Sequence, residues 1–143
     1  MKDEINKYLV FSGQNGLYAV LFKYIREIVS SRNIMRTDYL CPLVFGMANI
    51  KGEVVPILNL FAQTATELCP YQIVVHLDEL VFSFQAQEVV DTLLLQHTYL
   101  KELRSNQTPY IYQYFYFRKH AVSVLDLERY LDYMDQVLDK STY

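Results

Sequence analysis

The segment Gly46–Leu60 constrains the fold more than any other part of this sequence. It holds two of the four glycines in the 143-residue chain, and glycine used this sparingly marks backbone positions that a side chain would obstruct. We predict strands over residues 48–51 and 54–60, joined by a turn at Gly52. Because Pro56 has no backbone donor, it predicts an edge strand or a bulge rather than a central strand. The segment contains no good nucleophile, which indicates a role in shape rather than in chemistry.

The rest of the sequence is patterned as short strands followed by one helix. The pair Asn15-Gly16 predicts a hairpin because both residues tolerate positive φ. Alternation over residues 110–117 predicts a strand with four tyrosines on one face. Asp126 is a good N-cap, and apolar residues recur after it at helical spacing. Further strands are predicted over residues 8–12, 17–22, 24–29, 32–36, 72–76, 80–84 and 122–125, and residues 88–96 fit either an extended segment or a weak helix. Residues 37–45 are predicted to form a loop, and residues 61–68 a short helix or a loop.

Length and composition favour one domain over residues 1–143, with 52% hydrophobic and 20% charged residues. No apolar run approaches the ~20 residues that span a bilayer, and the polar N-terminus is unlike a signal peptide. We therefore expect a cytoplasmic protein without membrane insertion. The net charge of −3 lies entirely in residues 126–143. No basic patch is present, which argues against nucleic-acid binding.

The sequence shows no constellation that predicts catalysis, a cofactor or a metal site. The three histidines are scattered and lack metal-ligand spacing. Cys69 and His76 could be imagined as nucleophile and base, but nothing around Cys69 resembles a nucleophile elbow. Cys41 and Cys69 lack CxxC spacing and are expected to be reduced thiols. The four tyrosines could form a base-stacking platform, but such platforms lie in electropositive grooves. Because no basic patch surrounds this run, a strand face that is partly exposed to solvent is favoured.

Several motifs together resemble the CheW-like domains, coupling proteins that connect chemoreceptors to the histidine kinase CheA. The segment 46–60 fits the family pattern, in which a Gly is followed in order by an Asn, a basic residue directly before a second Gly, and a Pro. Upstream, Ile25-Arg-Glu-Ile28 is similar to the family's hydrophobic-Arg-Glu-Ile element, and Tyr8-Leu-Val-Phe11 and Tyr18-Ala-Val-Leu21 resemble its first two strands. Val122-Ser-Val-Leu-Asp-Leu127 resembles the closing strand. Ser83–Val89 departs from the family's Gly-x-x-hydrophobic-Asp-x-Val stretch, because it lacks both the glycine and the aspartate.

The resemblance implies a mainly β, CheW-like fold of two small five-stranded β-barrel subdomains that share a core, with a C-terminal α-helix. It implies a non-enzymatic adaptor, without a cofactor or small-molecule substrate, recruited to membrane-attached receptor arrays. Its expected partners are a CheA-like histidine kinase and the cytoplasmic tips of methyl-accepting chemoreceptors, in a chemotaxis or pilus-linked pathway. The residues expected to contact partners are Glu27, Ile28, Lys51, Val54 and Val55, and those expected to form the structural motif are Gly46, Asn49, Gly52 and Pro56.

Two other classes remain open from the residues alone. A different β-barrel interaction module could bind a peptide or self-associate through a strand edge. A small-molecule-binding barrel or degenerate enzyme would also fit a chain of many short strands. The family-like motifs Ile25-Arg-Glu-Ile28 and Asn49-Ile-Lys-Gly52 are expected to lie on neighbouring strands of one barrel, which would bring Glu27 and Lys51 within reach of each other. For these two residues, two independent surface charges and a pair at a partner surface are equally consistent with the sequence.

Overall fold

The structure, a computed structural model, describes residues 4–13, 16–37, 43–60, 67–104 and 108–141. Within these residues, short strands precede a single α-helix. The strands are β1 Ile5–Gly13, β2 Gly16–Leu21, β3 Ile25–Ser30, β4 Ile34–Arg36, β5 Val44–Ile50, β6 Glu53–Leu58, β7 Tyr71–Leu77, β8 Leu80–Ala86, β9 Glu88–Gln96, β10 Lys101–Glu102, β11 Gln113–Phe117 and β12 His120–Val124; the helix is α1, Leu127–Ser141, and short 3-10 turns cover Phe22–Tyr24 and His97–Tyr99.

The chain divides into two compact units. Residues 1–22 and 90–143 form the terminal unit, and residues 23–89 form the middle unit. One six-stranded sheet has the order β10-β11-β12-β2-β1-β9, and the other has the order β3-β7-β8-β6-β5-β4. The predicted mainly β class with a C-terminal helix is confirmed. Among the described residues each sheet has six strands rather than five, and both sheets are open at their edges.

The terminal unit is built around its two hairpins and the helix. β1 and β2 pair antiparallel until Gly13 lies opposite Gly16; the predicted turn residue Asn15 lies outside the described residues. β12 runs parallel to β2. Its core contains Val10, Ala19 and Phe115, so apolar residues of β1, β2 and β11 meet on one face of the sheet.

Helix α1 begins where the sequence predicts. The backbone N–H of Arg129 donates to Asp126 Oδ1 over 3.0 Å, which satisfies one of the free donors at the helix start. Leu127, Tyr130 and Met134 are buried, at the spacing of one helix face. The predicted N-cap and apolar stripe are therefore confirmed for these residues.

The aromatic run before β12 differs from its prediction. β11 starts only at Gln113, and Tyr110 and Ile111 are both buried, which strict alternation does not allow. The Tyr110 ring meets the Tyr130 ring edge-on, with 4.8 Å between centroids. Contact with the helix has overridden the strand pattern at the start of this run. The undecided segment 88–96 is extended, as β9.

The middle unit contains the other predicted strands. Their ends shift by one or two residues, except that β5 begins four residues earlier than predicted. β7 and β8 form a hairpin that closes with Leu77 opposite Leu80. The core of this unit includes Phe45, Ile57 and Val74. The predicted loop over 37–45 is shorter than expected, because Val44 and Phe45 belong to β5. Most of the predicted helix or loop at 61–68 lies outside the described residues.

We expect stability to fall at alkaline pH because of the buried tyrosines. Burial raises the pKa of Tyr130 above its ordinary value of 10.0, so the folded state keeps a proton that the unfolded chain loses. This contribution is complete below pH 10 and is lost as pH rises further. Tyr130→Phe should reduce the decline by about 1.4 kcal/mol per pH unit above pH 10, measured by urea unfolding at a series of pH values.

The matched control is Tyr116→Phe, since the Tyr116 side chain is 60% exposed and is solvated in both states. An alkaline decline that is equally steep in Tyr130→Phe and in the unmodified protein would contradict the expectation.

Candidate functional site

The β5–β6 hairpin closes through a two-residue turn at Lys51-Gly52. Ile50 lies opposite Glu53, and the φ angles of Lys51 and Gly52 are 53° and 84°. Positive φ at both central residues is the type I′ geometry that matches the twist of a hairpin. The backbone N–H of Gly52 donates to Asn49 Oδ1 over 3.0 Å. Asn49 and Gly52 therefore both act in shaping this turn.

Gly46 has a different function from Gly52. A Cβ at Gly46 would overlap the backbone carbonyl oxygen of Met35, whereas a Cβ at Gly52 would meet nothing within 4 Å. Gly46 thus permits β4 and β5 to approach closely, and Gly52 permits a left-handed backbone.

Pro56 lies in an internal strand, which corrects the prediction of an edge strand. The alternative prediction of a bulge is met nearby, because the register of β5 on β6 shifts between Val44 and Gly46, directly beyond the Met47–Pro56 pair. β6 runs between β8 and β5. Its parallel pairing with β8 consists of the single pair Ile57–Ser83, so a missing donor interrupts little of that ladder. The Ser83 hydroxyl donates to the Pro56 carbonyl over 3.4 Å. A proline is tolerated here because this side of the strand is only sparsely hydrogen-bonded.

Four charged side chains meet at the start of β3 and the β5–β6 turn, and we call them the charged cluster: Arg26, Glu27, Lys51 and Glu53. Lys51 Nζ lies 3.1 Å from Glu27 Oε1, and Arg26 Nη2 lies 2.8 Å from Glu53 Oε2. Arg26 Nε lies 3.5 Å from Glu27 Oε2 and joins the two pairs. Glu27 and Lys51 were expected to lie within reach of each other. Arg26 and Glu53 were not predicted to take part in the site.

The strands that carry the charged cluster are not neighbours, contrary to the expectation. β3 is an edge strand, and β7, β8 and then β6 separate it from β5. The sheet of the middle unit therefore curls until the edge strand β3 faces the β5–β6 turn. The Lys51–Glu27 pair bridges this open side of the sheet.

The charged cluster is exposed to solvent to different degrees. The Lys51 side chain is 77% exposed and the Glu27 side chain only 19%. The hydrogen bond from Arg26 lowers the pKa of the Glu53 carboxyl, against a smaller opposing effect of desolvation. The same hydrogen bond raises the pKa of Arg26. Both pKa shifts favour the ionised form of the Arg26–Glu53 pair, which suits electrostatic recognition and not proton transfer.

An apolar surface lies next to the charged cluster on the outer face of β4, β5 and β6. Met35 lies opposite Met47, and Met47 lies opposite Pro56. Val54 is two residues from Pro56 and so shares its face. Met35 and Val54 are 65% and 62% exposed. We call these four residues the apolar row; methionines give such a surface the ability to adapt to a partner.

The remaining predicted contact residues divide between surface and core. Ile28 on β3 is 37% exposed, whereas Val55 is 1% exposed and belongs to the core of the middle unit. Val55 points to the opposite face from Val54 because side chains alternate along a strand. Its side chain is therefore not available for direct contact with a partner.

The geometry gives no support to a nucleophilic cysteine. Cys69 is buried, and desolvation raises the pKa of its thiol, with Glu67 adding to this effect and a hydrogen bond from Gln87 opposing it. A raised pKa keeps the sulfur protonated, and the thiol is a weak nucleophile. Within the described residues no three His, Cys, Asp or Glu side chains are grouped to hold a metal ion. Cys41 lies outside the described residues.

The fold and this surface define a β-sheet protein whose exposed features suit binding to another macromolecule. The sequence matches the CheW-like domain family over residues 7–135, and the chain belongs to this family. The fold is similar to the crystal structure of the scaffolding protein TtCheW from Thermoanaerobacter tengcongensis, with a TM-score of 0.74 and 14% sequence identity over 88% of this chain and 87% of that chain. A comparison with curated proteins gave no match.

The family match confirms the resemblance and extends through the second half of the chain, where Ser83–Val89 departs from the family pattern. This departure falls at the end of β8 and the start of β9. In the described part of the chain, no helix has the length and apolar character needed to cross a bilayer.

We expect Gly52→Val to destabilise the fold by about 1–3 kcal/mol, because a β-branched residue is forced to positive φ. Unfolding in urea measures the change. Glu79→Val is the matched control. Glu79 is the second residue of the β7–β8 turn, as Gly52 is of the β5–β6 turn, but the positive φ of 54° in that turn belongs to Asp78 and not to Glu79. Equal losses in the two variants would show that strain at Gly52 is not the cause.

Proposed function

We propose that this chain is a non-enzymatic adaptor that couples methyl-accepting chemoreceptor tips to a CheA-like histidine kinase. The supporting observation is the charged cluster beside the apolar row on the middle unit. An apolar centre with charged neighbours is the usual composition of a protein–protein interface. The family to which the chain belongs, and the scaffolding protein that shares its fold, favour this partner class over others.

The adaptor would act by geometry, as one body that holds two partners. A receptor conformation could then bias kinase activity through the coupling of two binding sites. We place the protein in the cytoplasm at receptor arrays, as a single domain over residues 1–143. Flagellar chemotaxis and a pilus-linked pathway make the same demand on this surface.

The contact residues that we propose are Glu27, Ile28, Lys51 and Val54, together with Met35 and Met47 from the apolar row. Glu27 is held in place by Lys51 and Arg26, so its carboxylate is positioned before a partner arrives. Pre-positioned side chains lose less conformational freedom on binding, which favours affinity.

We expect Lys51→Glu to leave the fold intact and to weaken binding to the kinase or the receptor tip sharply. The Lys51 side chain is 77% exposed, and an exposed pair contributes about 0–1 kcal/mol to stability. At an interface, Glu27 would lose its partner and face a like charge, and an unpaired charge buried there costs about 2–5 kcal/mol. Lys51→Arg is the matched control and should bind equally well or better, because the planar guanidinium can pair with a carboxylate through two parallel N–H groups.

The measurement combines thermal melting with binding titrations against the CheA-like kinase of the source cell and a soluble receptor fragment. Normal binding by Lys51→Glu would remove this residue from the site. Hydrolysis of ATP by the purified chain alone would contradict the adaptor function itself.

A strand-edge module is the second candidate, because the edge strand β9 carries Leu94, which is 72% exposed. An unpaired edge with an exposed apolar side chain can pair with another chain. This function requires no contact at the apolar row, so the two candidates make different demands on the surface.

We expect Met35→Glu and Val54→Glu each to weaken kinase or receptor binding about tenfold or more, since a charge would replace an apolar contact, a difference of at least ~1.4 kcal/mol. Stability should change by less than about 0.5 kcal/mol, as both side chains are exposed. Leu94→Glu is the matched control. Loss of binding in Leu94→Glu alone, with a shift to smaller size in gel filtration, would favour the strand-edge module.

A further inference from the structure

A groove of about 420 Å³ opens on the middle unit between β3 and the end of β5. The residues Ser31–Asn33 connect β3 to β4 at one end, and the Lys51–Glu27 pair bridges the two sides at the other. Val29, Ala48 and Ile50 are among the residues that line it. These side chains also contribute to the core of the unit, so they form an apolar part of the groove beside the polar residues that line the rest.

Gln72 also lines the groove and carries a polar atom without a partner. The residue is 1% exposed, and its Oε1 is buried and accepts no hydrogen bond from the described part of the chain. Gln72 lies opposite Val29 in the β3–β7 pairing, and opposed residues project to the same face of the sheet. A buried acceptor left unpaired loses its interaction with water without replacement, which is unfavourable.

The orientation of the Gln72 amide follows from its neighbours. The Ser31 hydroxyl donates its one hydrogen to the Cys69 carbonyl over 2.5 Å, so Ser31 can only accept from Gln72. Gln72 Nε2 therefore donates to Ser31 Oγ over 2.9 Å. If the amide N and O were exchanged, Gln72 Oε1 would face Ser31 Oγ, and two acceptors would meet without a hydrogen between them. The amide oxygen is consequently the atom left open.

Arg32 supplies the third feature of the groove. Its side chain lines the groove and is exposed, and it forms no ion pair with the residues that the structure describes. Lys51 also lines the groove, but Glu27 balances its charge. None of the described residues that line the groove is acidic, so the uncompensated charge that these residues carry is positive.

We propose that this groove binds a small carboxylate that has an apolar body and an N–H donor. The carboxylate pairs with Arg32, because guanidinium groups match carboxylates in shape and charge. The apolar body lies against Val29, Ala48 and Ile50, and the N–H donates to Gln72 Oε1. A free amino-acid derivative and the last residue of a peptide share this chemistry.

The test is a titration of the full chain with N-acetyl-L-valine, in which the NMR chemical shifts of the backbone amides report binding. A ligand of this size should bind with a dissociation constant on the order of millimolar, with shifts centred on Val29, Ala48 and Ile50. N-acetyl-N-methyl-L-valine lacks the donor, and the methyl ester of N-acetyl-L-valine lacks the carboxylate. Both should bind about tenfold more weakly. Free L-valine distinguishes the two sources of the ligand, because a site for the last residue of a peptide should bind N-acetyl-L-valine more tightly than free L-valine.

Two variants complete the experiment. Gln72→Met removes the open acceptor and should weaken binding about tenfold, with a melting temperature equal to or above that of the unmodified chain. Arg32→Ala should weaken binding by a similar factor, and Arg104→Ala is its matched control on the terminal unit. No saturable binding by the unmodified chain would overturn the proposal, and so would binding by Gln72→Met and by Arg32→Ala that is as tight as that of the unmodified chain. These probes involve no kinase or receptor, so the adaptor function is tested separately.

Discussion

The close approach of β4 and β5 at Gly46 is the constraint on which the surface of the middle unit depends. A side chain at Gly46 would collide with the backbone carbonyl of Met35, so this position accepts only glycine without a shift of one strand. The contact fixes the register of β4 on β5. A slip by one residue would exchange the two faces of β4. Met35 would then turn inward, and Ile34 would become exposed.

The register of β5 on β6 determines which side chains of these two strands are exposed to solvent. Ala48 and Val55 face each other in the core, and Met47 and Pro56 face each other on the outer side. The Lys51-Gly52 turn then carries the charge of Lys51 to the open side of the curled sheet. The apolar row and the position of Lys51 therefore both depend on the pairing of β5 with its neighbours β4 and β6.

Local patterns in the sequence predicted the elements that depend on local physics. Asp126 and the apolar spacing after it predicted helix α1, since capping and helical periodicity act within a few residues. Gly52 predicted a turn for the same reason. The run at 110–117 was only partly predictable. Tyr110 lies against Tyr130, and a contact across twenty residues leaves no local signal.

The candidate site was predictable in part through the family motifs and not through pairing. Glu27 and Lys51 were expected to meet because their strands were taken as neighbours; they meet because the sheet curls. Met35 was missed because its exposure depends on the register of β4, which Gly46 sets over a distance of eleven residues. The open acceptor of Gln72 depends on Ser31, which accepts from the Gln72 amide and donates to Cys69. Ser31 is far from both residues in the sequence, and no pattern near Gln72 indicates it.

An exposed ion pair such as Lys51–Glu27 contributes little to folding, whereas the same pair can contribute much to binding if a partner covers it. Lys51 is mostly exposed, so water screens its attraction to Glu27 and competes for both groups. A partner that covers the cluster removes this water and strengthens each remaining interaction, because the local dielectric constant falls. The Arg26–Glu53 pair, with its 2.8 Å contact, keeps the surrounding charges balanced when this happens. A surface that must bind and release a partner benefits from charges that are paired beforehand, since no isolated charge is buried on association.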